Sequence, residues 1–192
     1  VVIDGLSYPT ADGSDGQVLT TDGSGNIAFE SVAGGITSAS TYRITTNQTL
    51  SANTETTLSA NWEEDDTNGY GRIGTAVSES GGTFSFPETG IYLVTFSAAF
   101  RKNGDDRQLE AYIYGTINNS TYVLRTFQGA FIQQTSSDYT FSNAVPSCLI
   151  DVTSTANVKF QCRVYSRNGS TELQGLTNLN ATFVTVIRLG DT

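Results

Sequence analysis

GGTFSFPETGIYLVTFSAAF, residues 81 to 100, carries the pattern on which the fold turns. Thr83 to Phe86 alternates polar and apolar side chains and stops at Pro87, which has no N–H to give a ladder, so it reads as a short strand. Glu88, Thr89 and Gly90 form the turn, and Ile91 to Phe100 continues as a long second strand. Side chains alternate along a strand, so Tyr92, Val94, Phe96, Ala98 and Phe100 share one side and Ile91, Leu93, Thr95, Ser97 and Ala99 the other. A strand facing water would be polar on one of these sides. This one predicts burial on both, with the aromatic side in the core of its own domain and the smaller side against a second surface. In an all-β protein the simplest second surface is another copy of the chain.

Composition narrows the function classes. Apolar residues make up 38% and charged residues only 15% of 192 residues, with Ser, Thr, Asn and Gly filling the difference, which suits a turn-rich β protein better than a helical one. The formal charge of −9 and pI near 4.3 disfavour phosphate backbones and anionic membranes, so nucleic-acid binding and membrane insertion are not expected. The basic residues are mostly Arg, which suits fixed, hydrogen-bonded positions. No transmembrane run, signal peptide or prenylation box is present. Met is absent even at the start, so the chain reads as a processed protein or a piece of a longer one. His is absent as well, which removes Ser-His-Asp and Cys-His catalysis and His-ligated zinc. The chain is expected not to be an enzyme and to need no cofactor.

Two textures divide the chain. Residues 1–35 are rich in Gly and Asp, with short strands at Gln17 to Thr21 and Ile27 to Val32 around a hairpin turn at Asp22-Gly23-Ser24-Gly25-Asn26. Such a hairpin has too little apolar surface to fold alone and needs neighbours, either copies of itself or the same segment of other chains. Gly34 and Gly35 read as a hinge before a domain at 36–192. There the strands are expected at Thr41 to Thr46, Glu55 to Leu58, Gly71 to Val77, Thr83 to Phe86, Gly90 to Phe100, Gln108 to Ile117, Thr121 to Ala130, Tyr139 to Val145, Cys148 to Val152, Val158 to Ser166 and Ala181 to Leu189.

The run F-x-F-P-E-x-G-I-Y-L-V at Phe84 to Val94 resembles the central strand pair of the tumour necrosis factor superfamily and of the globular head of the complement q subcomponent. Ala181 to Leu189 resembles the family's closing strand in position and aromatic start, although Thr185 stands where the family usually has glycine. The resemblance spans residues 39–190 and implies an all-β, ten-stranded jelly-roll sandwich that assembles as a trimer. It places Ile91, Leu93, Thr95, Phe183, Thr185, Ile187 and Leu189 on the three-fold axis, with Val184 and Val186 in the sandwich core. The phrase Y-P-T-x-D-G-x-x-G-Q-V-L-T-T-D-G-S-G at Tyr8 to Gly25 resembles a connecting segment of bacteriophage fibres and other appendages, where it precedes a C-terminal knob.

Other candidate sites carry competing readings. Cys148 and Cys162 fall opposite each other if their strands form a hairpin centred on Thr155; the plain reading is two small buried thiols. Glu63-Glu64-Asp65-Asp66-Thr67-Asn68-Gly69 invites calcium, with Asp65 and Asp66 as ligands, against the plainer reading of a solvated loop. Glycosidase chemistry needs two carboxylates across a cleft, and Asp105-Asp106 reads instead as turn decoration. Receptor contacts are expected among Trp62, Tyr70, Tyr112, Tyr114 and Tyr122, with Arg72, Arg107 and Arg125 as polar neighbours, because exposed aromatics beside hydrogen-bonding groups suit sugar and protein recognition. The sequons at Asn47, Asn118, Asn119, Asn168 and Asn180 bear on function only in a eukaryotic source.

Together these readings predict a non-enzymatic homotrimer: an arm joined to other virion proteins, and a knob at the virion surface that attaches to a host glycan or protein after assembly in the host cytoplasm. Two alternatives stay open. One is a capsid decoration or head fibre without receptor binding. The other is a secreted cytokine-like or lectin-like ligand, which predicts an oxidised Cys148 to Cys162 bridge.

Overall fold

In the computed structural model the long central strand runs from Gly90 to Lys102, buried at Tyr92, Val94, Phe96, Ala98 and Phe100 and half-buried at Ile91, Leu93, Thr95 and Ser97. The structure describes residues 1–31, 35–65 and 69–192. They fall into two compact units, Val1–Gly35 and Ile36–Thr192. Gly34 of the expected hinge, Val32 of the expected arm strand and Asp66 of the acidic run lie outside the described residues.

The first unit holds β1 (Val2–Ile3), β2 (Leu6–Ser7), β3 (Gln17–Thr21) and β4 (Ile27–Ser31), paired as two antiparallel hairpins. Asp22 sets the second turn, since its carboxylate accepts the N–H groups of Ser24 and Asn26 and the Asn26 side-chain amide at 2.6 Å. The Asn26 bond, followed by the backbone ones, holds the Asp22 carboxyl below the usual carboxylate range.

The second unit holds β5 (Ala39–Ile44), β6 (Gln48–Thr49), β7 (Thr54–Thr57), β8 (Trp62–Glu64), β9 (Ser78–Ser80), β10 (Thr83–Ser85), β11 (Gly90–Lys102), β12 (Asp106–Thr116), β13 (Val123–Ile132), β14 (Thr140–Ala144), β15 (Ser147–Val152), β16 (Lys159–Ser166), β17 (Glu172–Leu173) and β18 (Phe183–Gly190). One sheet has five strands in the order β13-β12-β16-β10-β9, and the other has eight, in the order β6-β17-β11-β18-β5-β8 with β14 and β15 also on β11. β7 belongs to neither sheet, and the rest of the surplus over ten has two sources. Two-residue pieces β6 and β17 extend the larger sheet, and Pro146, which cannot donate to a ladder, splits one edge strand into β14 and β15.

The two sheets enclose one apolar core. Phe84 stacks on Phe160 at 4.7 Å and 9°, Phe86 leans on Tyr92 at 4.6 Å, and Tyr42 and Trp62 meet Phe84 edge-on. The Tyr92 hydroxyl donates to the Glu88 carbonyl at 3.0 Å, tying the central strand to the turn that precedes it. Val184 and Val186 complete the core from β18.

Three expectations are corrected. Gly71 to Val77 is not a strand beyond an isolated bridge of Ile73 to Ala39; the pairing partner of β10 is β9, joined through Gly81 and Gly82. Both glycines have positive φ, +58° and +82°, the two-residue hairpin geometry whose twist matches its strands. The segment Trp62–Glu64, read as loop, pairs with β5. The hairpin of Cys148 and Cys162 does not exist, because β15 joins β11 in one sheet and β16 joins β12 and β10 in the other. A turn closed on the Ser154 carbonyl by the N–H groups of Asn157 and Val158 carries the chain across the sandwich.

Candidate association and recognition surfaces

The larger sheet turns an unusually apolar side away from its own core. Leu93 lies between Ile187 and Leu149, and Ile187 is next to Ala39, so one row of four strands is wholly apolar. The adjacent row is Thr41, Thr185, Thr95 and Ser147. Within it the Thr41 and Thr185 hydroxyls are 3.0 Å apart, as are those of Thr95 and Ser147. Phe183 lies opposite Ser97, and Ile91 opposite Gly190; a bulge between Ile91 and Tyr92 leaves Leu189 outside the pairing and exposed. All seven residues assigned to the axis by resemblance therefore share one sheet region. The smaller side of the central strand is not uncovered along its whole length, since Ala99 is buried beneath the chain itself and its carbonyl accepts from Gln174.

A second apolar zone follows the edge strands. Leu149 on β15 is 63% exposed and Phe131 on β13 65%, and Phe127, Phe141, Val145 and Val123 are exposed with them. These open side chains run along the edge strands of both sheets, an exposed apolar area of the kind that suits a contact surface.

The expected receptor residues do not converge. Trp62 is a core residue: its Nε1 donates to the Leu58 carbonyl at 2.8 Å and its ring packs against Phe84 and Phe96. Tyr112 is buried too, against Tyr114 and Phe127, with its hydroxyl on Glu110. Tyr122 is half-buried. Tyr70 is exposed, and nearby Arg72 reaches Glu64 on β8 at 2.9 Å, on the far edge of the other sheet from Tyr114.

What the fold does assemble is a polar–aromatic cluster on the outward side of the smaller sheet. The Arg163 guanidinium sits 3.9 Å over the Tyr114 ring and donates to Glu55 at 2.9 Å, while the Tyr114 hydroxyl donates to the same carboxylate at 3.0 Å. Tyr165 donates to Asn53 and Gln161 accepts from Arg163. Arg163, Glu55 and Tyr165 were not among the expected residues. For Arg163 and Tyr165 a signal was present in Lys159, Gln161, Arg163 and Tyr165, which alternate with Phe160, Cys162 and Val164 and face outward together; for Glu55 on β7 there was none.

The remaining candidates take structural roles. Asp65 is buried, accepting from Arg43 at 2.6 Å and from the Asn180 amide at 2.6 Å, so it serves as the counter-ion of Arg43 rather than a free calcium ligand. Among the described residues no three acidic or thiol side chains converge on a metal position. Asp106 is buried and accepts from Ser166 and Thr171, and Asp105 accepts from the Gln134 N–H. Two clefts among the described residues, of about 370 and 270 Å³, are lined by Asp151 with Arg125 and by Asp105 with Arg107, one carboxylate each, short of the pair that glycoside hydrolysis needs. Cys148 and Cys162 are free thiols, and burial pushes both up, Cys162 strongly.

No family model and no curated protein matches the sequence. Solved structures do. Murine APRIL at pH 5.0 superposes with a TM-score of 0.56 at 11% identity, covering 79% of this chain and 98% of that one. Eiger TNF from S. frugiperda superposes with a TM-score of 0.55 at 12% identity, over 80% of this chain and 93% of that one. The fold is an all-β sandwich of the tumour necrosis factor-like jelly-roll type.

Proposed function

We propose that this chain is a non-enzymatic homotrimeric binding head, closed by the outward side of its larger sheet and presenting three copies of the Tyr114–Arg163–Glu55 surface to a partner. The observation that carries the reading is the apolar row Ala39–Ile187–Leu93–Leu149, which a solitary domain would leave facing water. Burying one large side chain contributes about 1.5–3 kcal/mol before association entropy is deducted. The sheet face and the apolar edge around Phe127 and Phe131 on β13 belong to different sheets, so copies that meet face to edge form a ring rather than a two-fold pair. Repetition then turns a weak contact into avidity, because the second and third contacts are intramolecular.

The arm phrase at Tyr8 to Gly25 supports a bacteriophage setting, in which the head is displayed from a virion and attaches to a host-surface glycan or protein. The likeness to Eiger TNF favours a second setting, a secreted cytokine-like ligand, and the structural comparisons speak to that one more directly. Light scattering of the purified chain tests the trimer: three times 20.5 kDa is expected, and a single chain mass at micromolar concentration overturns it. A thiol count separates the settings. Two titratable thiols in the unfolded, non-reduced protein fit the virion setting, whereas none fits the secreted ligand, for which the Cys148 to Cys162 bridge is expected.

A further inference from the structure

We propose that residues 1–31 gain a hydrophobic core only by packing against the same segment of other copies of this chain, through the face that carries Leu19, Ile27 and Phe29. The inference rests on the homotrimer reading, which supplies those copies.

The first unit is ordered in its backbone and empty at its centre. Its strands pair in register, Leu19 opposite Phe29 and Thr21 opposite Ile27, and the Ser7 N–H donates to the Gly25 carbonyl at 2.7 Å, which links the two hairpins. Yet no residue from Val1 to Ser31 is buried, and Leu19 is 52% exposed. A two-stranded hairpin in water is marginal without a packed face, so backbone pairing and turn chemistry alone do not hold this unit.

The faces say which side is covered. Residues directly opposite share a side, so Gln17, Leu19, Thr21, Ile27, Phe29 and Ser31 form one face and Val18, Thr20, Ala28 and Glu30 the other. The first face holds three large apolar side chains and no charge. Its Phe29 ring lies so close to Gly13 that an added Cβ would come within 2.7 Å of it, so the connecting segment covers part of Phe29 and leaves Leu19 the most open of the three. Asp4 and Asp22 lie in turns and Glu30 on the opposite side, whereas Asp12 and Asp15 flank the connecting residues Gly13 and Ser14 at the margin of this face, and residues 1–31 contain no Lys or Arg to recruit an acidic partner. An uncharged apolar face matches itself better than it matches a charged partner. Arms attached to one trimeric head meet at an effective concentration on the order of millimolar, which lets individually weak contacts form.

Hydrogen exchange of the full chain tests this, with mass recorded alongside. Slow exchange is expected at Gln17–Thr21 and Ile27–Ser31 in the wild-type trimer. Leu19→Asp should make these segments exchange at least tenfold faster while the mass and the protection of β11 and β18 stay unchanged. Val18→Lys, on the opposite face beside Glu30, should leave their protection intact. A trimer whose arm exchanges as an unfolded chain, or a Leu19→Asp arm as protected as wild type, overturns the inference alone. A monomer overturns the homotrimer reading and the inference with it.

Discussion

Arg43 is the largest fully buried side chain, and its charge is held by Asp65 at 2.6 Å and Glu63 at 3.0 Å. Removing one partner of a buried pair strands the other in low dielectric, so Asp65→Ala should cost about 3–5 kcal/mol, read as a lower urea midpoint. A loss below about 1 kcal/mol would show that the pair is solvated. Phe84→Ala, which empties the middle of the aromatic stack, should cost about 3–5 kcal/mol, whereas Tyr92→Phe removes a single hydrogen bond and should cost about 0.5–1.5 kcal/mol. The tyrosines also give the domain an alkaline limit. Burial, reinforced by Glu88 at Tyr92 and by Glu110 at Tyr112, raises both phenols above their ordinary value near 10. A raised folded value favours the protonated form in the native state, so the stability it contributes is complete below about pH 10 and drains away as pH climbs beyond it. A spectrophotometric titration should show only part of the nine tyrosines ionising before a cooperative unfolding step; a single smooth titration of all nine would contradict this.

At the scale of elements, the Gly81-Gly82 hairpin separates conformational freedom from space. A Cβ on Gly81 meets nothing within 4 Å, but one on Gly82 would stand 2.6 Å from the Leu58 carbonyl oxygen. Gly82→Ala should therefore lower the thermal midpoint several degrees more than Gly81→Ala, and equal losses would mean that backbone strain alone decides the cost. β10 was legible in the alternation of Thr83 to Phe86, but its hairpin partner β9 was not, because its three residues carry no apolar alternation, and Trp62–Glu64 is equally short. Beside four acidic residues Trp62 looks like surface, and only its pairing with β5 turns it inward. β11, β16 and β18 were legible because each alternates over eight residues or more. The hairpin between Cys148 and Cys162 failed for a different reason, while their reading as two small thiols stood: a hairpin and a crossing between sheets have the same local spacing, and the choice is made by partners far away in sequence.

For the whole molecule the outward side of the larger sheet is the decisive region. Leu93→Asp puts a charge between Ile187 and Leu149, where it costs a monomer little but would be buried without a partner in an assembled head. The variant should fold, with near-normal circular dichroism, and run as a single chain in light scattering. An unchanged trimer would remove this sheet from the interface. That the seven residues which the resemblance assigns to an axis share one region of one sheet was readable, because the alternation and the resemblance point to the same side of the same strands. The Tyr114–Arg163–Glu55 cluster proposed as the recognition surface was not, because its members come from distant parts of the chain and meet only after the smaller sheet has formed.

The hydroxyls of Thr41, Thr185, Thr95 and Ser147 cross the sheet beside a band of leucine and isoleucine. A neighbour displaced along the strands by one such step would set carbon against oxygen and oxygen against carbon, forfeiting bonds on both sides. Stickiness alone would tolerate that slippage; in the proposed trimer a polar stripe would not, so it would key each copy to a single alignment and turn away chains whose stripe falls elsewhere.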